Sequence, residues 1–386
     1  MDSRRPRIAL FCPSLGLGGS EQQLVNLAIG LRARGYDVRV LVLYGGEPLE
    51  QTLSQSRVPV INLDKKTAFG AGVAALRLLR YIRRERVHVL YSFHGLPNLL
   101  AAAIRLIDRQ VRIIIGVRAT QMDVSRRVWW QRGAYWLEPR FAACADLVIA
   151  NSHAGQKDAI KRGFPVSKLR VVLNGIDARR FLPDRAAGLQ LRRELHIDAA
   201  ARVVGLVARI DPMKDHRTFL EAAAVVKAKE AAARFLCVWE GDPLEQQRLA
   251  ELSRRLAVSD IVLWTRGDVH MSRFYNAMDV AVSSSSYGEG FSNVIGEAMA
   301  CGCRCVVTDA GDSARLVEGL GIVVPPRDPS KLAAGILTAL AAPPDKEQSI
   351  RTRERILSRY SIDAMVNNTL ECLLQLVADD LVSQHM

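Results

Sequence analysis

Short runs of Val, Ile and Leu recur along the chain, separated by stretches in which apolar residues return every three or four positions. In the first half the runs fall at residues 8–13, 38–43, 58–63, 87–93, 112–117, 147–150 and 169–173. They are mostly unbroken rather than alternating, as parallel strands buried on both faces require. Helical patterns at 20–34, 71–84 and 98–109 lie between several of them. Repeated strand–helix–strand order predicts a doubly wound parallel sheet.

The pattern then restarts. Asn174-Gly175-Ile176-Asp177 is a turn signal, and a charged stretch follows to residue 202. New apolar runs come at 203–208, 235–239, 261–264, 280–283, 303–308 and 322–324, again with helical segments between them. Two α/β domains are expected, residues 1–176 and 177–358. Residues 345–381 read as two helices with no strand after them, and the last of these, 359–386, is expected to pack back on the first domain. No internal repeat or low-complexity tract is evident. Ligands of such sheets bind at the carboxyl ends of the strands, so polar residues just after strands become the candidates.

Composition narrows this only slightly. At 386 residues the chain exceeds one ordinary core, and no apolar run reaches the roughly eighteen residues needed to span a bilayer. The basic N-terminus lacks the length and cleavage site of a signal peptide, so the expected location is cytoplasmic. Seven cysteines, odd in number and scattered, agree with a reducing compartment. Cys301, Cys303 and Cys305 alternate, a spacing that fits neither a C-x-x-C knuckle nor a nearby His, so they read as small apolar fillers and no metal is expected. The net charge of +13 suits nucleic acid, an anionic membrane or anionic small substrates. No nucleic-acid-reading motif appears, so nucleic acid is the weakest of the three.

The chemistry concentrates between residues 283 and 302. A strand ends near Ser283, a loop carries Gly288, Glu289 and Gly290, and a helix begins around Ser292 or Asn293, both good N-caps. A glycine-flanked loop entering a helix N-terminus offers free N–H groups and partial positive charge to a phosphate. Glu289 and Glu297 have seven residues between them, which lets two carboxylates flank one ligand. The plainer alternative makes Glu289 a solvated loop acid and Glu297 a surface helix acid.

The run Glu289-Gly290-Phe291 followed by Glu297-Ala298-Met299-Ala300-Cys301-Gly302 resembles the Glu-x7-Glu motif of family 4 glycosyltransferases, retaining enzymes of the GT-B fold. The resemblance covers nearly the whole chain. It includes Gly18-Gly19 ahead of a helix with Glu21, Asn151-Ser152, the Asn174–Asp177 turn, and the stretch from Val207 to Lys214. It implies two Rossmann-like domains facing a central cleft, with C-terminal helices. Glu297 would accept hydrogen bonds from the nucleotide ribose, and Glu289 would position the donor sugar. Arg209 and Lys214 would neutralise the departing diphosphate. Gly290, Phe291, Ser292 and Asn293 would line the donor site, and Gly18 and Gly19 would allow close backbone approach to the donor from the other domain. The implied reaction needs no metal and no cofactor beyond a nucleoside diphosphate sugar, here expected to be UDP-linked. The leaving phosphate would assist the acceptor hydroxyl.

Two departures stand out. Relatives carry a His near the sugar after the fourth or fifth strand. Here Arg118 follows the fifth and His94 the fourth, and either fits the place. Glu240 also stands where a small residue is usual, in Trp239-Glu240-Gly241-Asp242. Beyond the donor site, two segments mix arginine with apolar residues. Arg77, Arg80, Arg83, Arg84 and Arg86 accompany Leu76, Leu78, Leu79, Tyr81 and Ile82. From Arg126 to Arg140, Trp129, Trp130, Tyr135 and Trp136 are interleaved. Either is a site for an anionic membrane surface, or a core face backed by solvated arginines. The reading is sugar transfer to a glycan or polyprenyl-linked acceptor in cell-surface glycan synthesis. A sugar-nucleotide epimerase and a non-catalytic scaffold of the same fold are the alternatives.

Overall fold

The computed structural model describes residues 5–65, 70–118, 120, 129–343 and 345–383. They form two compact units, residues 1–175 with 362–386, and residues 176–361. In the first unit the chain runs β1 (Ile8–Cys12), α1 (Gly19–Ala33), β2 (Val38–Val42), α2 (Leu49–Gln55) and β3 (Val60–Asn62). It continues through α3 (Ala71–Glu85), β4 (Val89–Phe93), α4 (Gly95–Ile107), β5 (Arg112–Val117) and α5 (Trp129–Ala142). β6 (Leu147–Ala150), α6 (His153–Lys161) and β7 (Leu169–Val171) complete the sheet. All seven strands are parallel, in the order β3-β2-β1-β4-β5-β6-β7.

The second unit begins with α7 (Arg185–Glu194), β8 (Arg202–Arg209), α8 (His216–Lys227), β9 (Ala233–Glu240) and α9 (Pro243–Arg255). Next come β10 (Val262–Arg266), α10 (Ser272–Ala277), β11 (Val280–Ser283), α11 (Asn293–Ala300) and β12 (Arg304–Thr308). α12 (Ser313–Val317), β13 (Ile322–Val324), α13 (Pro329–Ala341) and α14 (Lys346–Arg359) close it. Its six parallel strands are ordered β10-β9-β8-β11-β12-β13. The final helix, α15 (Ile362–Ser383), belongs to the first unit. There Met365, Val366 and Leu373 join the core beside Leu24, Leu27 and Leu31 of α1, and Arg34 pairs with Asp363 at 2.8 Å.

The strands form where the apolar runs are, because a strand buried on both faces has no polar side to alternate with. Ile8 to Phe11 and Ile113 to Ile115 are fully buried. Two expectations shift for local reasons. α4 starts at Gly95 rather than near Asn98, since Pro97 sits in the first turn, where its missing N–H costs nothing. β10 runs on to Arg266 because pairing with β9 continues through Thr265 and Arg266, whose guanidinium lies 3.7 Å over the Trp239 ring. In the second unit five helices are capped by aspartates, Asp184, Asp215, Asp242, Asp328 and Asp345, each accepting a first-turn N–H. Such a cap contributes about 1 kcal/mol.

The first basic segment resolves into a core face and a solvated one. Leu78, Tyr81 and Ile82 of α3 are buried, while its arginines are exposed and three pair with Asp64, Asp108 and Glu85. Of the second segment, Arg126 and the side chains of Trp129 and Trp130 lie outside the described residues. Trp136 on α5 is 69% exposed and Leu137 beside it 49%. Among the described residues no helix is long and apolar enough to cross a membrane.

Candidate functional site

In each sheet the strand order reverses direction once, between β1 and β4 in the first unit and between β8 and β11 in the second. Connections there leave on opposite faces, so the loops after these strands part and leave room for a ligand. The loops after β8 and β11 carry Arg209 to Lys214 and Ser284 to Asn293. Those after β1 and β4 carry Gly18 to Glu21 and His94.

At the β8/β11 position, Lys214 and Glu289 form a pair. Lys214 Nζ donates to Glu289 Oε2 at 2.5 Å, and Ser285 Oγ donates to the same oxygen at 2.8 Å. Glu289 is 7% exposed, which rules out a solvated loop acid. The loops are tied as well as the side chains: Ser286 N donates to Met213 O, and Ser284 Oγ to Lys214 O, both at 2.8 Å. Thr308 Oγ1 holds Ser285 O at 2.6 Å. Gly311, at φ +63°, passes so close to the Glu289 carbonyl that any Cβ would collide with it. Arg209 is different. Its side chain is 61% exposed, with Asp211 at 3.7 Å.

Gly290 accepts the Asp312 N–H at 2.9 Å, which fixes the loop as it enters α11. Phe291 is buried, its ring 5.5 Å from that of Tyr360. Ser292 is the N-cap of α11, yet its buried hydroxyl caps no N–H and has no partner. Asn293 opens the helix. One turn in, Glu297 accepts a 2.6 Å hydrogen bond from the Tyr275 hydroxyl. Burial pushes the Glu297 carboxyl up to about 7, against the pull of the Tyr275 bond and of Arg180. A surface helix acid would not behave so. Behind Lys214, His216 is buried and stacked on Trp264, and burial pushes its imidazole down to about 4.

At the β1/β4 position the groups form a relay. Ser20 Oγ donates to Glu21 Oε2 at 2.7 Å and lies 2.6 Å from His94 Nε2. Gly18 has no unusual backbone angle. Its missing Cβ makes room for the Glu21 carboxylate, which occupies that space here. Gly19 opens α1. Arg118, after β5, bonds the Tyr91 hydroxyl at 2.6 Å and lies 4.0 Å over the Phe93 ring. Its Nε is buried without a partner, and burial lowers its pKa. His94 and Arg118 therefore sit in separate partner sets, although Phe93 adjoins both.

Comparison with known proteins bears on both units. The family model "Glycosyltransferase Family 4" matches residues 17–180, and "Glycosyl transferases group 1" matches residues 201–342. The chain belongs to the family 4 glycosyltransferases. The D-inositol 3-phosphate glycosyltransferase of Segniliparus rotundus is 31% identical over 242 residues, 60% of this chain and 53% of that one. The chain thus spans about half the length of such relatives. A Campylobacter jejuni N-acetylgalactosaminyltransferase acting on a diphospho-undecaprenol-linked saccharide is 21% identical over 86% of this chain and 90% of its own. Among solved structures, Anabaena HepE in complex with UDP and glucose superposes with a TM-score of 0.83, at 22% identity, over 96% of this chain and 99% of that one. This family member therefore has the GT-B fold.

Motif reading missed three partners in this glycosyltransferase-family chain. Ser285 is one of four consecutive serines, 283–286, and nothing in that run signals which of them turns inward. Tyr275 lies 22 positions before Glu297. Glu138, on α5, is buried between Asn98 Nδ2 at 2.6 Å and Arg162 Nη2 at 2.8 Å.

Proposed function

We propose that the chain transfers a sugar from a nucleoside diphosphate sugar, UDP-linked, to a glycan or polyprenyl-linked acceptor with retention of configuration. The observation that carries this is the buried Lys214–Glu289 pair at the switch point, beside the N-terminus of α11. One Lys214 N–H is spent on Glu289. The ammonium has two more to offer a phosphate oxygen, and exposed Arg209 supplies a second cation. As the donor's C1–O bond breaks, negative charge grows on the diphosphate, and cations already in place stabilise it most. The acceptor oxygen bonds C1 while its proton passes to a phosphate oxygen. Glu289 holds donor hydroxyls, and the protein supplies the positive charge itself, so no metal is called for. The unpartnered Ser292 hydroxyl offers one more donor at the helix entrance.

HepE's complexes with UDP and UDP-glucose support the choice of nucleotide, and the undecaprenol-linked substrate of the Campylobacter relative supports a lipid-linked acceptor. Screening nucleotide sugars for release of UDP or GDP tests the reading. Turnover with one donor is expected, falling at least about a thousandfold in Glu289→Ala. Unchanged turnover in that variant would refute the assignment.

A lipid-linked acceptor requires the enzyme to reach a membrane. On α5, Arg132, Trp136 and Arg140 are spaced by four and share one face, with Leu137 adjacent. Exposed Leu106 and Ile107 end α4, which packs on α5. An aromatic flanked by arginines suits the headgroup layer of an anionic bilayer. The chain should float with anionic vesicles, and Trp136→Ala with Leu137→Ser should weaken this about tenfold; no flotation at low salt removes the idea.

A further inference from the structure

We propose that Tyr275 is a positioning residue for nucleotide binding: its hydroxyl orients Glu297 and keeps it ionised, so that the carboxylate accepts both hydroxyls of the ribose. This rests on the donor reading above and assigns a residue outside the motifs that led to it.

Glu297 stands on α11, half-buried, beside Tyr275 and Cys301. Tyr275, on α10, is 1% exposed, and its ring meets Phe181 edge-on at 5.8 Å. Its hydroxyl donates to Oε2 at 2.6 Å, the length of a charge-assisted bond. The other oxygen, Oε1, accepts from no described protein group. A ribose diol presents two O–H donors, which an ionised carboxylate can accept together. A protonated carboxyl has lost one acceptor site and turned it into a competing donor. The protonation state therefore decides the affinity.

Burial drives Glu297 towards neutrality, and the Tyr275 bond is the first-ranked force against it. Arg180, from the segment before α7, is the second. The remaining charged or titratable neighbours do not compete. The Cys301 thiol, at the end of α11, is pushed to about 12 by burial and stays neutral. Arg353, reaching over from α14, is occupied by the carbonyls of Ala178, Phe181 and Ala300. Tyr275 itself is held well above its ordinary range by burial and by Glu297, so it remains a donor throughout the pH range of interest. Phenylalanine at this position would fill the same space and leave Oε2 facing an apolar ring.

Titration calorimetry with UDP and 2′-deoxy-UDP tests this on the full chain. Wild-type protein should prefer UDP by about tenfold or more at pH 8, and the preference should decline as the pH falls through about 7, where Glu297 gains its proton. In Tyr275→Phe the affinity for UDP should drop about tenfold at pH 7 and the ribose preference should collapse towards unity. The pH midpoint of that preference should move up by about one unit. The donor KM should rise while kcat changes less than about threefold. Glu297→Gln is the control for the parent reading. If it removes the preference and Tyr275→Phe does not, the role of Tyr275 is overturned while Glu297 stands. If neither variant alters the preference, the ribose assignment of Glu297 fails, and this inference with it. Should Tyr275→Phe fold poorly, a wild-type preference that is flat from pH 6 to 8 overturns the proposal unaided.

Discussion

At the β8/β11 switch point a lysine and a carboxylate are hydrogen-bonded directly, whereas at the β1/β4 switch point Glu21 and His94 meet at the Ser20 hydroxyl, and Arg118, after β5, lies against rings. Lys214, half-buried, and Glu289, buried, neutralise one another. His94 leans on Ser20, and Arg118 on Tyr91 and Phe93. Both arrangements stand at the same place in a parallel sheet, so topology alone does not explain the difference. A pair of opposite charges can be buried before a ligand arrives, ready to be shared with a diphosphate. An arginine held by rings keeps its charge unspent. The second unit therefore joins its opposite charges directly, and the first joins Glu21 to His94 through a hydroxyl.

The largest break in this comparison comes from removing one member of the pair. Lys214→Met keeps the length of the side chain but leaves Glu289 buried with no cation, which costs about 3–5 kcal/mol. Adding Glu289→Gln removes the stranded charge and should restore most of that stability without restoring turnover. Urea denaturation of the two single variants and the double variant, with turnover measured alongside, reads both quantities. If Lys214→Met is destabilised by less than about 1 kcal/mol, the pair is solvated in solution and its special status is lost.

The same contrast separates what sequence patterning reveals from what it hides. Both sheets were legible because strands such as Ile113–Ile115 are apolar on every side, and four strands have the predicted bounds: Arg112–Val117, Leu147–Ala150, Val280–Ser283 and Ile322–Val324. Glu289 and Glu297 were legible because a helix start fixes their separation. Strand order was not legible, because parallel neighbours such as β1 and β4 are set by crossovers rather than by adjacent residues. Tyr275 and Glu138 were hidden for a related reason. A buried carboxylate advertises itself only through its partner, and Asn98 is 40 positions from Glu138.

Acid should sharpen the comparison more gently, through the histidines of the two sites. His94 is part-buried and hydrogen-bonded to a serine, whereas His216 is buried against Trp264 with Lys214 nearby. Above pH 6.5 His216 is neutral in both folded and unfolded chains, so its contribution is whole. As the pH falls, the unfolded chain takes up a proton near 6.5 while the folded one resists until about 4. Stability is lost across that window, about 2 kcal/mol of it by pH 5. Denaturation followed by tryptophan fluorescence at pH 7 and pH 5 should show the loss, and His216→Gln should remove most of it while starting from lower stability. An equal loss in the variant would mean that the acid sensitivity lies elsewhere, and that the second unit's site is not sealed against protons in the way its buried pair requires.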